Sequence, residues 1–281
     1  PNSQKDSFIT EVEEIRALSK DLDDDFWVVL VGETITYESW LFDIDGIHNN
    51  PDNGWAKWVR TWTAEENRHG DVLNKYLYLS GRVNMREVEI STQHLITDGF
   101  DLGTSSDPYK SFVYTSFQEL ATYISHNNVA KIAREKGHKA LAKMSRIIAG
   151  DEMRHHQAYS KFVKEIFAID PSEMMIAFQH MMQHKIIMPA MHLRESFGAK
   201  CGLFGDFSAV AQRVGVYTGF DYVDILRKLN TIWEIDKITN LTSEAEKARD
   251  YLMHLPDRMY RITERIVIPN TKFEFKWMLP A

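Results

Sequence analysis

The sequence predicts an all-α helical bundle, and three observations support that prediction. Glycine and proline are scarce, at 14 and 8 of 281 residues. Stretches in which β-branched and polar residues alternate, as they do in strands, are rare. Apolar residues instead recur at spacings of three and four along most of the chain. With 44% hydrophobic residues the chain can bury one large core, so we expect a single domain over residues 1–281.

Two helices are expected before the first loop. The first lies within residues 1–20, and the acidic residues 21–25 suit the positive N-terminal end of the second. The run Phe26–Val31 fits a buried strand or a buried helix, and we prefer the helix because no nearby segment offers a strand partner. The polar segment Asn49–Gly54 predicts a loop, and a third helix should start at Trp55.

Helices are also predicted for most of the rest of the chain. A helix from Trp55 carries a stripe of tryptophans that is most simply core packing, and a helix hairpin follows over residues 112–162. Beyond Pro171 a methionine-rich apolar stripe continues the helical pattern. Only Phe273–Trp277 alternates like a strand, which predicts at most a short terminal ribbon.

Composition excludes several classes of protein. A single cysteine, Cys201, excludes a disulfide framework and a thiolate metal cluster, and it fits a reducing compartment. A net charge of −7 argues against generic nucleic-acid binding. We find no apolar run long enough to span a membrane and no targeting segment, so we expect no membrane association. A bacterial cytosol fits these features, although a mature protein of the plastid stroma would look the same.

Two motifs share the pattern acid-Glu-x-Arg-His, Glu65–His69 and Asp151–His155. Residues three apart lie on one face of a helix, so each motif directs a carboxylate and an imidazole into the same space. Two such faces that oppose each other would form a dinuclear metal site. The alternative is chance, since a chain with 11 histidines should contain about one Glu-x-x-His by accident. Glu135–His138 fits that description, and its glycine and its neighbour Arg134 predict a solvated helix end.

A third helix supplies a further candidate ligand, Glu119. It lies among apolar residues, where an unpaired carboxylate would cost several kcal/mol and a bound metal would remove that cost. The alternative is a glutamate on the solvated side of its helix. The candidate metal ligands are therefore Glu66, His69, Glu119, Glu152 and His155. Three carboxylates and two imidazoles suit iron or manganese better than zinc. The set is similar to that of the ferritin-like di-iron bundles, which use one further Glu from a fourth helix. The sequence therefore predicts a ferritin-like di-iron helix bundle with additional C-terminal helices by this likeness.

The remaining charged residues of the two motifs have two interpretations. Arg68 and Arg154, with Glu65 and Asp151, could hold the ligands in place from behind. Such Arg–acid pairs are also ordinary features of helix surfaces. The sequence leaves both interpretations open.

Four stretches resemble the soluble plant-type acyl-acyl-carrier-protein desaturases, of which the stearoyl enzyme is the best known. They are Trp62–Asp71 (WTAEENRHGD), Asn74–Val83 (NKYLYLSGRV), Tyr114–Glu119 (YTSFQE) and Phe207–Arg213 (FSAVAQR). The resemblance implies that the five candidate residues correspond to family iron ligands and that Thr122 matches a threonine that assists proton delivery. It also implies that Trp62 and the face formed by Ser111, Phe112 and Thr115 border an acyl channel.

The activity that the resemblance implies is the removal of two vicinal hydrogens from a fatty acyl chain on acyl carrier protein, which leaves a cis double bond. Two ferrous ions would be the cofactor and O2 the co-substrate, ferredoxin would supply electrons, and the protein would be a homodimer. Both protein partners are acidic. Two basic clusters are candidates to meet them: Lys131, Arg134, Lys136 and Lys139, or Arg258, Arg261 and Arg265.

The sequence departs from the family pattern in two places. The N-terminal extension of the family is absent before Pro1, and Thr36 joins directly to Tyr37 where the family has about half a dozen further residues, including its remaining glutamate ligand. Glu33 or Glu38 could substitute for that ligand. Two other functions stay open. One is an iron-storage or ferroxidase bundle, against which the large C-terminal portion from Pro171 onward argues. The other, motivated by the missing glutamate, is a metal-deficient protein that binds acyl-acyl carrier protein.

Overall fold

The computed structural model describes residues 2–39, 54–105, 107–184, 186–195 and 202–280, and this part of the chain is largely helical. The helices are α1 (Asn2–Leu18), α2 (Asp24–Ser39), α3 (Gly54–Ser80), α4 (Met85–Asp98), α5 (Pro108–Glu135), α6 (Lys139–Ile169), α7 (Pro171–Gln183), α8 (Leu203–Val214), α9 (Gly219–Ile232) and α10 (Ser243–Thr263). Two short 3-10 turns are Pro189–His192 and Ile235–Lys237. The all-α prediction is confirmed. Most of the predicted loop at residues 49–54 lies outside the described residues, but α3 begins at its last residue, Gly54.

The ambiguous run Phe26–Val31 is helical, as predicted. It lies in the first half of α2, and all six of its residues are buried. The Asp23 carboxylate accepts a hydrogen bond of 2.8 Å from the Phe26 amide and so caps the start of the helix. A helix that is apolar on every side must be surrounded, and α2 packs against α3, α4 and α8.

Helices α2 and α3 run antiparallel and bring the N-terminal half of α2 beside the C-terminal half of α3. Trp27 stacks on Tyr76 with ring centroids 6.0 Å apart, and Asp24 pairs with Arg82 at 2.6 Å. Helices α5 and α6 form an antiparallel hairpin with the largest helix interface of the described chain. Helix α3 also crosses α6 in the antiparallel sense. These four helices form the bundle that positions the predicted ligands.

The C-terminal helices form a second layer on the other side of α5. Helices α7, α9 and α10 share a hydrophobic cluster with α5 and α6 that contains Phe117, Phe178 and Trp233. Thr218 and Asp221 form a capping box that starts α9. The prediction of additional C-terminal helices is thus confirmed. No helix of the described segments is long and apolar enough to cross a membrane.

The segment Phe273–Trp277, for which at most a short terminal ribbon was predicted, forms no strand in the described structure. Met278, the residue that follows it, makes an isolated antiparallel bridge with Val83. The alternation of the segment has another cause, because Phe275 and Trp277 are both buried and stack with centroids 5.5 Å apart. The segment inserts aromatic side chains into the core and does not pair with a strand.

The predicted solvated helix end at Glu135–His138 is only partly correct. Helix α5 does end at Glu135, and Gly137 adopts a φ of +83°, which favours glycine in the turn. His138, however, is only 1% exposed. The turn folds its imidazole inward, where Nδ1 lies 3.1 Å from the Tyr76 hydroxyl.

Candidate metal centre

The structure brings all five predicted ligand residues together between α3, α5 and α6. Each is between 0% and 5% exposed. Glu66, Glu119, Glu152 and His155 each offer a ligand atom, and these atoms all lie within 4.8 Å of one another. His69 adjoins them, with its Nδ1 3.5 Å from Glu152 Oε1.

Helix geometry explains why these side chains meet. The ligands of α3 and α6 stand three residues apart on each helix and continue the buried stripes of those helices. Because α3 and α6 are antiparallel, the two motifs face each other across the interface. Glu119 enters from α5, where the Trp62 indole donates a hydrogen bond of 2.8 Å to its Oε1.

The inner nitrogen of His155 is surrounded by carboxylates. Its Nδ1 lies 3.0 Å from Glu66 Oε1, 3.3 Å from Glu152 Oε2 and 3.4 Å from Glu119 Oε2. One ring nitrogen carries at most one proton, so it cannot donate to three acceptors at once. A cation at the centre of this group would satisfy the carboxylates and the nitrogen together.

The outer nitrogens of the two imidazoles are held by the acid that opens the opposite motif. His69 Nε2 on α3 lies 3.0 Å from Asp151 Oδ2 on α6, and His155 Nε2 on α6 lies 2.7 Å from Glu65 Oε2 on α3. A carboxylate at Nε2 places the proton there and makes Nδ1 the nitrogen that would bind a metal. The cross-pairing therefore orients both imidazoles with Nδ1 inward.

The two arginines of the motifs hold these acids from the solvent side. Arg154 donates to Asp151 at 2.6 Å and to Glu65 at 3.5 Å, and Arg68 lies 3.4 Å from Glu65. Both arginines are largely exposed. This geometry agrees with the interpretation of these residues as supports for the candidate ligands. The two acid-Glu-x-Arg-His motifs thus form one reciprocal unit, in which the acid of each motif holds the imidazole of the other.

The residues present fit a bound metal. Glu66 Oε1 and Glu119 Oε2 are buried and accept no hydrogen bond from the protein, a state that costs free energy unless a cation or a proton compensates it. The donor set contains only carboxylate oxygens and imidazole nitrogens. Such a set suits iron or manganese and holds no thiolate of the kind that structural zinc sites favour.

The charges within the cluster shift the pKa values of two of its carboxyl groups in opposite directions. Burial, together with the negative charges of Glu152 and Glu66, raises the pKa of Glu119 well above its ordinary value. Burial acts in the same direction on Glu152, but hydrogen bonds from His155 and His69 overcome it and hold the pKa of Glu152 well below its ordinary value. Without metal, Glu119 is therefore the carboxyl that keeps a proton most readily.

The imidazoles respond to the same charges. Burial alone would lower the pKa of His69, but Glu152 and Glu66 outweigh it and raise that pKa to about 10. The pKa of His155 is also raised, against burial, by Glu119, Glu152 and Glu66. A metal ion must replace these protons, so its binding releases protons and strengthens as the pH rises.

Glu33, one of the two residues considered as a substitute ligand, lies elsewhere. Its Oε1 accepts a hydrogen bond from Ser125, and its Oε2 lies 3.7 Å from His126 Nδ1. Those partners are six and seven residues beyond Glu119 on α5, about 10 Å along the helix. The structure therefore holds Glu33 outside the ligand group. The side chain of Glu38, the other substitute considered, lies outside the described residues.

Thr122 is half-buried, one turn beyond Glu119 on α5. Its hydroxyl donates to the backbone carbonyls of Gln118 and Glu119, at 3.2 and 3.0 Å. The hydroxyl thus lies on the ligand-bearing stretch of α5, but in this structure it bonds to its own helix.

An aromatic cluster adjoins the candidate metal ligands on one side. Trp62 lies with its ring centroid 6.5 Å from that of His155 and 5.6 Å from that of Tyr159. The other members of the cluster are Trp55, Trp58, Phe112 and Phe162. The tryptophan stripe was expected to be core, and Trp62 is indeed buried, but the stripe also forms the apolar wall of the ligand group.

Two features of the site were missed by sequence reasoning. The hydrogen bond from Trp62 on α3 to Glu119 on α5 joins residues that are 57 positions apart in the chain. No local pattern in the sequence indicates it. The Glu33–His126 pair joins α2 to α5 in the same way. A polar residue within an apolar stripe was the available signal for His126, as it was for Glu119.

Comparison with known proteins identifies the family. A family model described as fatty acid desaturase matches residues 1–279. The chain is 50% identical to the chloroplastic stearoyl-[acyl-carrier-protein] 9-desaturase of Ricinus communis over 94% of this chain and 69% of that protein. The corresponding protein of Spinacia oleracea is 50% identical, over 94% and 68%, and one from Arabidopsis thaliana is 47% identical, over 94% and 69%. The chain therefore belongs to the fatty acid desaturase family.

Proposed function

We propose that this protein introduces a cis double bond into a fatty acyl chain carried by acyl carrier protein, with two iron ions as cofactor and O2 as co-substrate. The observation that carries the proposal is the reciprocal unit at the centre, in which each motif supplies a Glu and a His and holds the imidazole of the other. The names of the relatives at about half identity support the acyl substrate.

The protein residues would perform distinct tasks in this reaction. Glu66, His69, Glu119, Glu152 and His155 would hold the two irons. When bound, iron would supply the one-electron chemistry that reduces O2 and oxidises an unactivated C–H pair. Asp151 and Glu65 would keep the imidazoles oriented, and the apolar side chains around the ligands would exclude water that would otherwise consume the oxidant.

Proton supply is a task for a hydroxyl close to Glu119, since reducing O2 consumes protons. Thr122 is the residue we propose for it. Rotation about its side-chain bond would release the hydroxyl from its own helix and turn it toward the ligands. Thr122→Val should therefore slow turnover, whereas Thr122→Ser should retain it, with metal content unchanged in both variants.

The aromatic cluster is the proposed wall of the acyl channel. Trp62, Phe112 and Tyr159 pack together beside the candidate ligands, and an alkyl chain bound against their apolar faces would lie in van der Waals range of the centre. Ser111 and Thr115 continue the Phe112 face. Their hydroxyls donate to the backbone carbonyls of Asp107, which caps the start of α5, and of Ser111. Their polar atoms are thereby satisfied, so the face they present can border an alkyl chain.

Acyl carrier protein and ferredoxin are the proposed protein partners, and both are acidic. The first basic cluster (Lys131, Arg134, Lys136 and Lys139) is exposed at the turn between α5 and α6. The second (Arg258, Arg261 and Arg265) is exposed at the C-terminal end of α10. Reversing the charge of one cluster should weaken the binding of one partner and leave the binding of the other unchanged. The affinity for each partner should fall as the salt concentration rises. A homodimer remains a proposal that sedimentation can test.

A fourth side of the centre requires a ligand that the described residues do not supply. Helix α2 continues through Thr36 and Tyr37 to Ser39, and its antiparallel register with α3 brings its C-terminal end to the level of Glu66 and His69. If the chain is continuous from Thr36 to Tyr37 and so lacks the remaining glutamate of the family, the iron on that side has one carboxylate fewer, and we propose that it binds more weakly than its partner. Unequal iron occupancy in anomalous scattering would support this, and equal occupancy would contradict it.

The decisive experiment combines metal analysis with single-turnover chemistry. Protein reduced in the presence of Fe2+ should hold about two irons per chain and, on mixing with stearoyl-acyl carrier protein and O2, yield an unsaturated acyl chain that mass spectrometry detects. Glu152→Ala should abolish both iron binding and product. Glu165→Ala, an exposed glutamate on the same helix, should abolish neither.

The same measurements separate the other candidate functions. Many irons per chain without unsaturated product would indicate an iron-storage or ferroxidase bundle. Acyl-acyl carrier protein binding without any metal would indicate a binding protein.

The location that we propose is a bacterial cytosol, with the plastid stroma as the alternative. The names of the relatives contain the word chloroplastic, which is compatible with that alternative.

A further inference from the structure

A buried tyrosine on α3, outside the ligand group, is bonded to a buried imidazole. The Tyr76 hydroxyl lies 3.1 Å from His138 Nδ1, and both residues are nearly inaccessible to solvent. Tyr76 follows His69 by seven residues on the same helix face, two turns or about 10 Å along α3. The hydrogen bond thus ties the turn after α5 to the metal-bearing helix.

The surroundings keep the Tyr76 phenol protonated and the His138 imidazole neutral. Burial raises the pKa of the Tyr76 phenol, so it stays protonated. Burial lowers the pKa of His138, against the opposing effects of the Leu18 carbonyl and Asp21, so its imidazole is neutral and able to accept a proton. The pair is a phenol donor bonded to a neutral base.

An indole on α2 extends this pair to the turn that follows α1. Trp27 on α2 stacks on Tyr76, with centroids 6.0 Å apart and planes 14° from parallel. Its N–H donates to the Ser19 carbonyl at 3.1 Å, and Ser19 precedes the exposed Lys20. The three side chains therefore form a contiguous series from two turns beyond His69 to the turn that follows α1.

We propose that Tyr76 and His138 form an oxidisable pair that drains oxidising equivalents from the metal centre when no acyl chain is present to receive them. This inference rests on the O2 chemistry proposed above. Tyr76 gives one electron to the oxidant that the reaction with O2 produces, its O–H bond breaks, and the proton passes to His138 Nδ1. The products are a neutral tyrosyl radical, an imidazolium and an oxidant reduced by one electron.

The second step returns the pair to its starting state. Trp27 gives one electron to the tyrosyl radical while His138 returns the proton to the phenolic oxygen, which leaves an indole cation radical on α2. A one-electron reductant in solution then restores Trp27. The hydrogen bond matters because a positioned base allows the proton to leave with the electron, and an isolated buried phenol lacks that route.

Tyr114 provides a matched control. It is also buried, and it lies five residues before Glu119 on α5, at least as close to the ligands along its helix. Its hydroxyl donates to the Ile187 carbonyl at 2.8 Å, which cannot take up the proton. Proximity alone would favour Tyr114, whereas the proposed mechanism selects Tyr76.

The test is freeze-quenched EPR of iron-loaded, reduced protein mixed with O2 in the absence of acyl substrate. We expect a radical signal that narrows in protein made with ring-deuterated tyrosine, disappears in Tyr76→Phe and His138→Gln, and persists in Tyr114→Phe. Addition of stearoyl-acyl carrier protein should suppress the signal. Circular dichroism and iron content check that each variant is folded and loaded.

The possible failures are distinguishable. A wild-type protein that desaturates stearoyl-acyl carrier protein but yields no radical, or a signal that survives in Tyr76→Phe, overturns the oxidisable pair and leaves the proposed function intact. A wild-type protein that neither consumes O2 nor forms product overturns the proposed function and this inference with it. Faster oxidative modification of folded Tyr76→Phe protein, mapped by peptide mass spectrometry, would support the pair.

Discussion

At the residue scale, the acid that opens each motif acts on the imidazole of the opposite helix. Asp151→Asn removes the charge that holds His69 Nε2, so the half of the centre that contains Glu66 and His69 should lose metal affinity by about 10- to 100-fold. Chelator competition on each variant measures this. Glu65→Gln is the matched control, because it should weaken the His155 half instead. Equal effects of both substitutions on both halves would contradict the cross-pairing.

A second residue-scale prediction concerns His156, which is buried beside the ligand His155. Burial lowers its pKa to about 4 from 6.5, and the positive charge of Lys228 acts in the same direction. The unfolded chain therefore binds a proton below pH 6.5 that the folded chain does not bind until about pH 4. The free energy of unfolding is therefore not reduced by this group above pH 6.5. It decreases by up to about 3 kcal/mol as the pH falls toward about 4.

His156→Gln should remove this part of the acid sensitivity. The free energy of unfolding of metal-free protein, measured by denaturant titration between neutral and acidic pH, should fall less steeply in the variant than in the wild type. His254→Gln is the control, since that imidazole also contacts a backbone carbonyl but is exposed. An unchanged slope in His156→Gln would contradict the assignment.

Sequence periodicity predicted that the candidate ligands would converge, but it did not predict all of their partners. Glu66 and His69 stand three apart on a buried stripe, so their convergence follows from helix geometry. The bond from Trp62 to Glu119 depends on the rotation of α3 relative to α5, which no local pattern contains. His138 was expected to be solvated because its neighbours are polar, yet the turn at Gly137 directs it inward.

At the scale of elements, the contact between α2 and α8 should tolerate no extra methyl group. A Cβ added at Gly32 would lie 2.3 Å from the Phe207 ring, so Gly32→Ala must displace that ring or the helix. We expect a loss of about 1 to 3 kcal/mol of stability, measured by denaturant unfolding. The displacement would also move Glu33 away from Ser125.

Gly150→Ala is the matched control for that substitution. Gly150 is an exposed residue of α6, and an added Cβ there meets nothing within 4 Å. Alanine favours the helix, so this change should stabilise the protein by about 0.5 to 1 kcal/mol. Opposite signs for the two substitutions would confirm that close packing, and not helix propensity, requires glycine at position 32.

The type of element was predicted correctly for the apolar run in α2. It was misleading at the C-terminal end, where alternating burial of side chains in an extended segment resembles the two-residue period of a strand. Phe26–Val31 was assigned to a helix because no strand partner was near, and the structure agrees. Phe273–Trp277 alternates as a strand does, but its alternation reflects Phe275 and Trp277 entering the core from an extended chain. A two-residue period reports which side chains are buried, and it does not report whether a neighbouring strand is present.

At the scale of the whole molecule, the centre joins α3, α5 and α6 through like charges that oppose folding until a metal compensates them. The elevated pKa of Glu119 shows this opposition, because folding without metal requires the group to be protonated. Each unit of such a shift costs about 1.4 kcal/mol of stability at a pH above it. Metal that binds only the folded state returns about 2.7 kcal/mol at a hundred times its dissociation constant.

These opposing effects predict that adding metal reverses the order of stability of the wild type and the Glu119→Gln variant. The neutral amide resembles the protonated carboxyl and retains the oxygen that accepts from Trp62, so the metal-free variant should unfold at a higher temperature than the metal-free wild type. With one carboxylate fewer, it should gain much less from anaerobic Fe2+, and the wild type should then be the more stable of the two. Glu165→Gln, exposed on α6, should change neither melting temperature. A metal-free Glu119→Gln protein that melts below the wild type would show that these carboxylates stabilise the bundle without a metal.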